Sequence, residues 1–171
     1  MRKSAWLLIV LLAISSPATA CTSFAVYSDM PWYGMNFDCY STTPFLVSIV
    51  QENGRGLFFM AYLWGNRYVP TVGINEAGLF ASTQLHHNET IVDIDAGDDS
   101  LYMYQLFADS LVSLDRVSQV REIAATRRVV DAYPYRPTHN LFADPTGQAI
   151  VVETIATNRH ITRPNLESRS V

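Results

Sequence analysis

The chain has 171 residues, 12 Lys and Arg against 16 Asp and Glu, 49% hydrophobic and 16% charged residues, 8 Gly, 8 Pro and 2 Cys. This is too apolar for a disordered chain and too aperiodic for collagen or a coiled coil, and the length fits one globular domain. A formal net charge of −4 with scattered arginines provides no clustered basic face, so nucleic acid is not an expected partner.

Residues 1–20 read as a secretory signal. Arg2 and Lys3 precede the apolar run Ala5 to Ile14, Pro17 breaks the helix, and Ala18-Thr19-Ala20 places small residues before a cleavage point. The run is too short to span a bilayer, so an exported, periplasmic or secreted protein is expected, with no membrane contact once processed. The mature domain is then 21–171 and begins at Cys21. Lys3 is the sole lysine, so processing leaves the α-amine of Cys21 as the single amine of the mature chain.

The next segments have strand character. Thr22 to Ser28 and Tyr33 to Cys39 are rich in β-branched and aromatic residues and flank the turn signal Asp29-Met30-Pro31-Trp32. Phe45 to Gln51 and Leu57 to Leu63 flank Glu52-Asn53-Gly54-Arg55-Gly56, and Val69 to Ile74 and Gly78 to Thr83 flank Asn75-Glu76-Ala77. Antiparallel pairing follows from such short connections. From Asp99 to Leu114 the period changes: Leu101, Tyr104, Ala108, Leu111 and Val112 recur at three- and four-residue steps, with Asp98 and Asp99 suited to the helix start.

Asp115 is placed to cap a second helix carrying Val117, Val120 and Ala124 on one face, and Tyr133-Pro134-Tyr135-Arg136-Pro137 ends it. Strands return at His139 to Ala143 and Gln148 to Glu153 around Asp144-Pro145-Thr146-Gly147. Asn158 to Val171 is polar and shows no closing element. Strands, two helices, then strands predict an α+β layered domain.

Candidate chemistry centres on Cys21, where signal cleavage leaves a thiol and a free α-amine on one residue. An α-amine titrates close enough to neutrality to take the thiol proton, giving a nucleophile with its own base. If Ser28 pairs with Tyr33, Cys21 lies across from Tyr40. Asp38 is then a diagonal neighbour on the same face at about 7–8 Å, suited to orienting the resulting ammonium, while Cys39 points the other way. The arrangement suits attack on an amide carbonyl.

Four blocks carry a family resemblance: Cys21-Thr22-Ser23-Phe24-Ala25-Val26, Gly34-Met35-Asn36-Phe37-Asp38, Val72-Gly73-Ile74-Asn75-Glu76-Ala77-Gly78-Leu79, and His139-Asn140-Leu141-Phe142-Ala143-Asp144-Pro145-Thr146-Gly147 through Val152-Glu153. Together they resemble the N-terminal-nucleophile linear amidases, which include choloylglycine hydrolases, penicillin V acylases and penicillin acyltransferases. The resemblance implies an αββα sandwich of antiparallel sheets between helical layers, with Cys21 as nucleophile and Asp38 beside it. It also implies Gln84 near a family Asn that binds the oxyanion, and Met35 at a substrate-facing position where choloylglycine hydrolases carry Arg. No cofactor or metal is expected, and the partner is a small-molecule amide. The family continues past the point where this chain stops, so the fold is expected to be incomplete at its C-terminus, with open strand edges that favour self-association.

Other readings stand beside these. Cys21 could form a disulfide with Cys39 or carry a lipid anchor, although Ala18 is a poor lipobox residue. The chain could be an inactive remnant acting as a binding module, or an acyltransferase sharing the same acyl-enzyme. Asp38 and Gln84 could be ordinary turn and strand residues. His86-His87 face opposite ways on a strand, and Asp93, Asp95, Asp98 and Asp99 miss the calcium-loop pattern. Asn88-Glu89-Thr90 is a glycosylation sequon in a host that glycosylates, and His139 could serve as base to Cys39.

Overall fold

The structure is a computed structural model that describes residues 21–38, 43–85, 99–131, 138–153 and 161–163. The leader, Cys39, the segment 86–98 and residues 164–171 lie outside them. Two strands, β1 (Thr22–Tyr27) and β2 (Pro31–Asn36), form a separate antiparallel hairpin. β3 (Phe45–Glu52), β4 (Arg55–Trp64), β5 (Arg67–Asn75) and β6 (Phe80–Leu85) form an antiparallel meander. β7 (Ser100–Tyr102) leads into α1 (Met103–Ser113) and α2 (Val117–Thr126), and β8 (Arg128–Val130) returns parallel to β7. β9 (Thr138–Ala143), β10 (Ala149–Glu153) and β11 (Ile161–Arg163) extend the meander, giving one seven-stranded sheet in the order β11-β10-β9-β6-β5-β4-β3.

Local chemistry accounts for most boundaries. Asn53 and Gly54 both have positive φ, 52° and 79°, as a two-residue hairpin turn between β3 and β4 demands. Helix α1 begins later than the acidic pair Asp98 and Asp99 had predicted, because residues 100–102 are taken up by the parallel pairing with 128–130. Its entry is fixed instead by Gln105, whose Oε1 accepts from Tyr102 N at 3.0 Å. Asp115 does not cap α2 either; it accepts from Arg55 Nη1 at 2.6 Å, and Asp144, from the β9–β10 turn, accepts from Val117 N at 2.7 Å. The expectation of no closing element after residue 158 is corrected by β11, which pairs with β10.

Both helices lie on one face of the large sheet. Phe142, Ile150, Val152 and Ala81 from the sheet, with Leu79 from the β5–β6 connection, pack against Leu106, Phe107, Leu111, Val117, Val120 and Ala124 from the helices. Gly73 allows this approach: a Cβ there would lie 2.6 Å from Leu111 Cδ1 and 3.1 Å from the Phe58 carbonyl oxygen. Asn75 ties the sheet to α1, its Nδ2 donating to Leu111 O at 3.0 Å and Leu114 O at 2.7 Å while its Oδ1 accepts from Leu79 N.

The β1–β2 hairpin covers part of the opposite face. Tyr33 stacks on Phe80 with ring centroids 5.1 Å apart, and Tyr27 Oη donates to Gln148 O at 2.8 Å. Among the described residues the layers are therefore helices, seven-stranded sheet and hairpin, an α+β arrangement. No described helix is long and apolar enough to cross a membrane.

Candidate active site

The hairpin register decides what stands near Cys21. The pairs run Thr22↔Asn36, Ser23↔Met35 and Phe24↔Gly34 to Tyr27↔Pro31, leaving Ser28-Asp29-Met30 as the loop. This corrects the expected pairing of Ser28 with Tyr33 by three residues. Proline is tolerated at the first position of a strand, where its missing N–H breaks no ladder, so Pro31 joins β2 rather than the turn. Ser28 Oγ donates to Met30 O at 3.0 Å and closes the shorter loop.

With this register Cys21 stands level with Phe37 rather than Tyr40, one step beyond the last ladder pair. Alternation along β1 gives Cys21, Ser23, Ala25 and Tyr27 one face, half-buried throughout, while Thr22, Phe24 and Val26 are exposed. The half-buried face looks onto the large sheet: Ser82 Oγ, on β6, donates to Ser23 Oγ at 2.7 Å. The Gln84 carboxamide donates through Nε2 to the same Ser23 oxygen. Met35, paired with Ser23, shares this face and is half-buried. Cys21, Met35 and Gln84 are thus gathered between hairpin and sheet, and the Cys21 thiol is free.

Asp38 is placed differently. It is exposed, just past the end of β2, and its Oδ1 accepts from Asn36 Nδ2 at 3.1 Å. Asn36 is exposed on the outer side of the hairpin, so in this conformation the Asp38 carboxylate sides with Asn36, and the diagonal relation to Cys21 drawn from the earlier register is not formed. The preceding Phe37 is held by ring contacts to Tyr62 at 5.3 Å and Phe45 at 5.9 Å, which fixes where the chain leaves the hairpin.

Two residues of the fourth sequence block, given no role there, lie beside Gln84. His139 on β9 pairs directly with Gln84 on one side and with Glu153 of β10 on the other, so the three form a row across three strands. His139 Nδ1 and Glu153 Oε1 are 2.6 Å apart, with side chains 31% and 19% exposed. Their meeting follows from the length of the 144–148 connection, a signal present in the sequence. Ser23 could have been found by the alternation from Cys21. The His139–Cys39 pairing, His86, His87, Asn88, Asp93, Asp95 and Asp98 all fall on or require residues outside those described. Among the described residues no cluster of His, Cys, Asp or Glu is arranged to hold a metal ion.

Two tyrosines behind the site are unsuited to act as acids. Burial and then the Asp144 charge push Tyr27 up to about 12. Burial, then Tyr27, pushes Tyr33 higher still, and the Tyr33 hydroxyl is buried with no hydrogen-bond partner among the described residues. These groups anchor the hairpin.

No protein-family model matches the chain, and no curated protein matches its sequence. Solved structures do match its fold. A mutant of the conjugated bile acid hydrolase from Clostridium perfringens superposes with a TM-score of 0.65 at 18% identity, covering 86% of this chain and 51% of that one. A second variant of that enzyme gives 0.62 at 16% identity, covering 84% and 51%. Penicillin V acylase from Agrobacterium tumefaciens gives 0.52 at 19% identity, covering 65% and 33%. The chain spans about half the length of the bile acid hydrolase structures it matches, and its α+β fold is similar to the part of them that it covers.

Proposed function

We propose that this chain is an exported amidase that hydrolyses a linear, non-peptide C–N bond of a small-molecule amide through Cys21. The reading is carried by a free, half-buried Cys21 on the hairpin face whose Ser23 accepts from the Gln84 carboxamide of the large sheet. The fold likeness to a bile acid hydrolase and a penicillin V acylase supports it.

In this mechanism, removal of residues 1–20 converts the Cys21 nitrogen from a peptide amide into an amine. The amine accepts the thiol proton and the sulfur attacks the carbonyl carbon, forming a tetrahedral oxyanion. A carboxamide has two N–H donors; with one on Ser23 Oγ, the other is left for the oxyanion, a contribution of about 3–4 kcal/mol to barrier lowering where such a donor is well placed. Collapse expels the amine, which leaves with the proton held on the Cys21 nitrogen, and a thioester remains. Water, activated by the same nitrogen, hydrolyses the thioester. Asp38, one residue beyond the level of Cys21, turns from Asn36 to the new ammonium. Met35 lines the approach with an apolar side chain.

The test is intact mass and peptide mapping of secreted protein. The mature chain is expected to begin at Cys21, to gain one acyl mass on that residue when mixed with an activated amide or thioester, and to lose this adduct in Cys21→Ala. A diacylglycerol-bearing terminus, or acylation that persists in Cys21→Ala, rejects the proposal.

A further inference from the structure

Glutamine is a loosely defined oxyanion donor, because its three side-chain torsions let the carboxamide wander unless something holds it. One anchor is Ser23 Oγ on the hairpin side. A second is available on the strand side. His139 lies directly across from Gln84 in the β6–β9 ladder, and both belong to the face that looks onto the hairpin, since the intervening residues Thr83 and Asn140 hydrogen-bond to each other on the helical side. Directly opposed residues in an antiparallel pair have Cβ atoms about 4.5–5.5 Å apart, within reach of an imidazole ring. The ring is itself immobilised: Glu153, next in the row, takes Nδ1 at 2.6 Å, which assigns the proton to Nδ1 and sets the ring plane.

We propose that His139, held by Glu153, is a positioning residue for Gln84: its ring closes off the alternative rotamers of the carboxamide and keeps the second N–H directed toward Cys21. Among the described residues next to it on that face, Leu141, Val151 and Ser82 are uncharged, and none of them can replace a ring held by a carboxylate. The kinetic consequence rests on the amidase reading; the structural one does not.

Side-chain amide resonances in 1H–15N spectra separate the two. The Gln84 NH2 pair, identified by its disappearance in Gln84→Glu, is expected away from the free-glutamine position in the parent chain. It should move toward that position in His139→Ala, with Ser23 still holding one N–H, and less far in Glu153→Gln, which preserves the size of every side chain. Unchanged Gln84 signals in both variants overturn the proposal, whether or not the chain proves to be an amidase. In the kinetic arm, His139→Ala should lower the rate of Cys21 acylation about 10-fold with KM within twofold, and produce no further loss in a Gln84→Ala background. An equal loss in that background means His139 acts independently of Gln84 and also overturns the proposal. Absence of Cys21 acylation in the parent chain counts against the amidase reading, while the spectra still decide this one.

Discussion

The two faces of the seven-stranded sheet are built on opposite principles. On the helical face, Phe142, Leu79, Leu106, Val117 and Val120 are all at most 1% exposed, and the polar groups present, such as Asn75 and Asp144, are consumed in joining elements. On the hairpin face, Ile49 is 82% and Val47 57% exposed, while Gln84, His139 and Glu153 form a half-buried polar row beside a free thiol. Stability is concentrated where water is excluded. The candidate polar groups occupy the less covered face.

The sharpest way to break this contrast is to damage the helical face alone. Phe142→Ala removes a fully buried ring and should cost about 3–5 kcal/mol in urea unfolding. Iodoacetamide labelling of Cys21 in the molecules that remain folded should keep the parent rate. A labelling rate that changes in proportion to the stability loss would mean the faces are not separable.

Asp131 gives the next effect. Its carboxyl, accepting from Thr138 N and Thr138 Oγ1, is pushed from 3.8 up to about 6, by burial first, with the Thr138 hydrogen bonds opposing. The folded chain therefore favours the protonated acid. Stability is highest below the unfolded value and falls as pH rises through about 6, by up to about 3 kcal/mol. Thermal melts of Asp131→Asn between pH 4 and pH 8 should lack this decline, and an equally steep decline in the variant would assign it to another group.

Asn75→Ala strands two carbonyls of the α1 end and the Leu79 amide. A loss of about 1–3 kcal/mol is expected in chemical denaturation, and a neutral result would show water replacing the side chain. Smallest is Ile49→Thr on the open edge strand β3, expected to change stability by less than about 0.5 kcal/mol. It should raise the protein concentration at which light scattering detects association, since an exposed apolar edge invites pairing; unchanged association would move the sticky surface elsewhere.

What could be read ahead of the structure divides along the same line. The hairpin turn at Asn53-Gly54, the apolar spacing of α1 and the strands around 144–147 are governed by neighbours in sequence, and all of them form. The misplaced features depend on distant partners. Asp99 does not start a helix because Arg128 to Val130 recruits the residues that follow it, and Asp115 is diverted by Arg55. The hairpin register was lost through Pro31, whose turn propensity is outweighed once it occupies a strand's first position. Cys21 and Gln84 stand out in the sequence as candidates, but Ser23, which accepts from Gln84, and Glu153, which meets His139, are visible only when strand alternation is followed across the sheet.

The direct pairing of β6 with β9 has a kinetic consequence. Thr83 and Asn140 touch across a separation of 57 residues, so the helical excursion between them must be closed into a loop before this seam can form. Joining the local meander to the β9–β10 hairpin is then expected to be the slow step of refolding, because the chain entropy is lost before the contacts that offset it exist. Stopped-flow measurements on Ala81→Gly, at the seam, should show slower refolding with nearly constant unfolding, whereas Val47→Ala, in the meander's outer strand, should leave the refolding limb in place. Faster unfolding alone in Ala81→Gly would place the seam after the barrier.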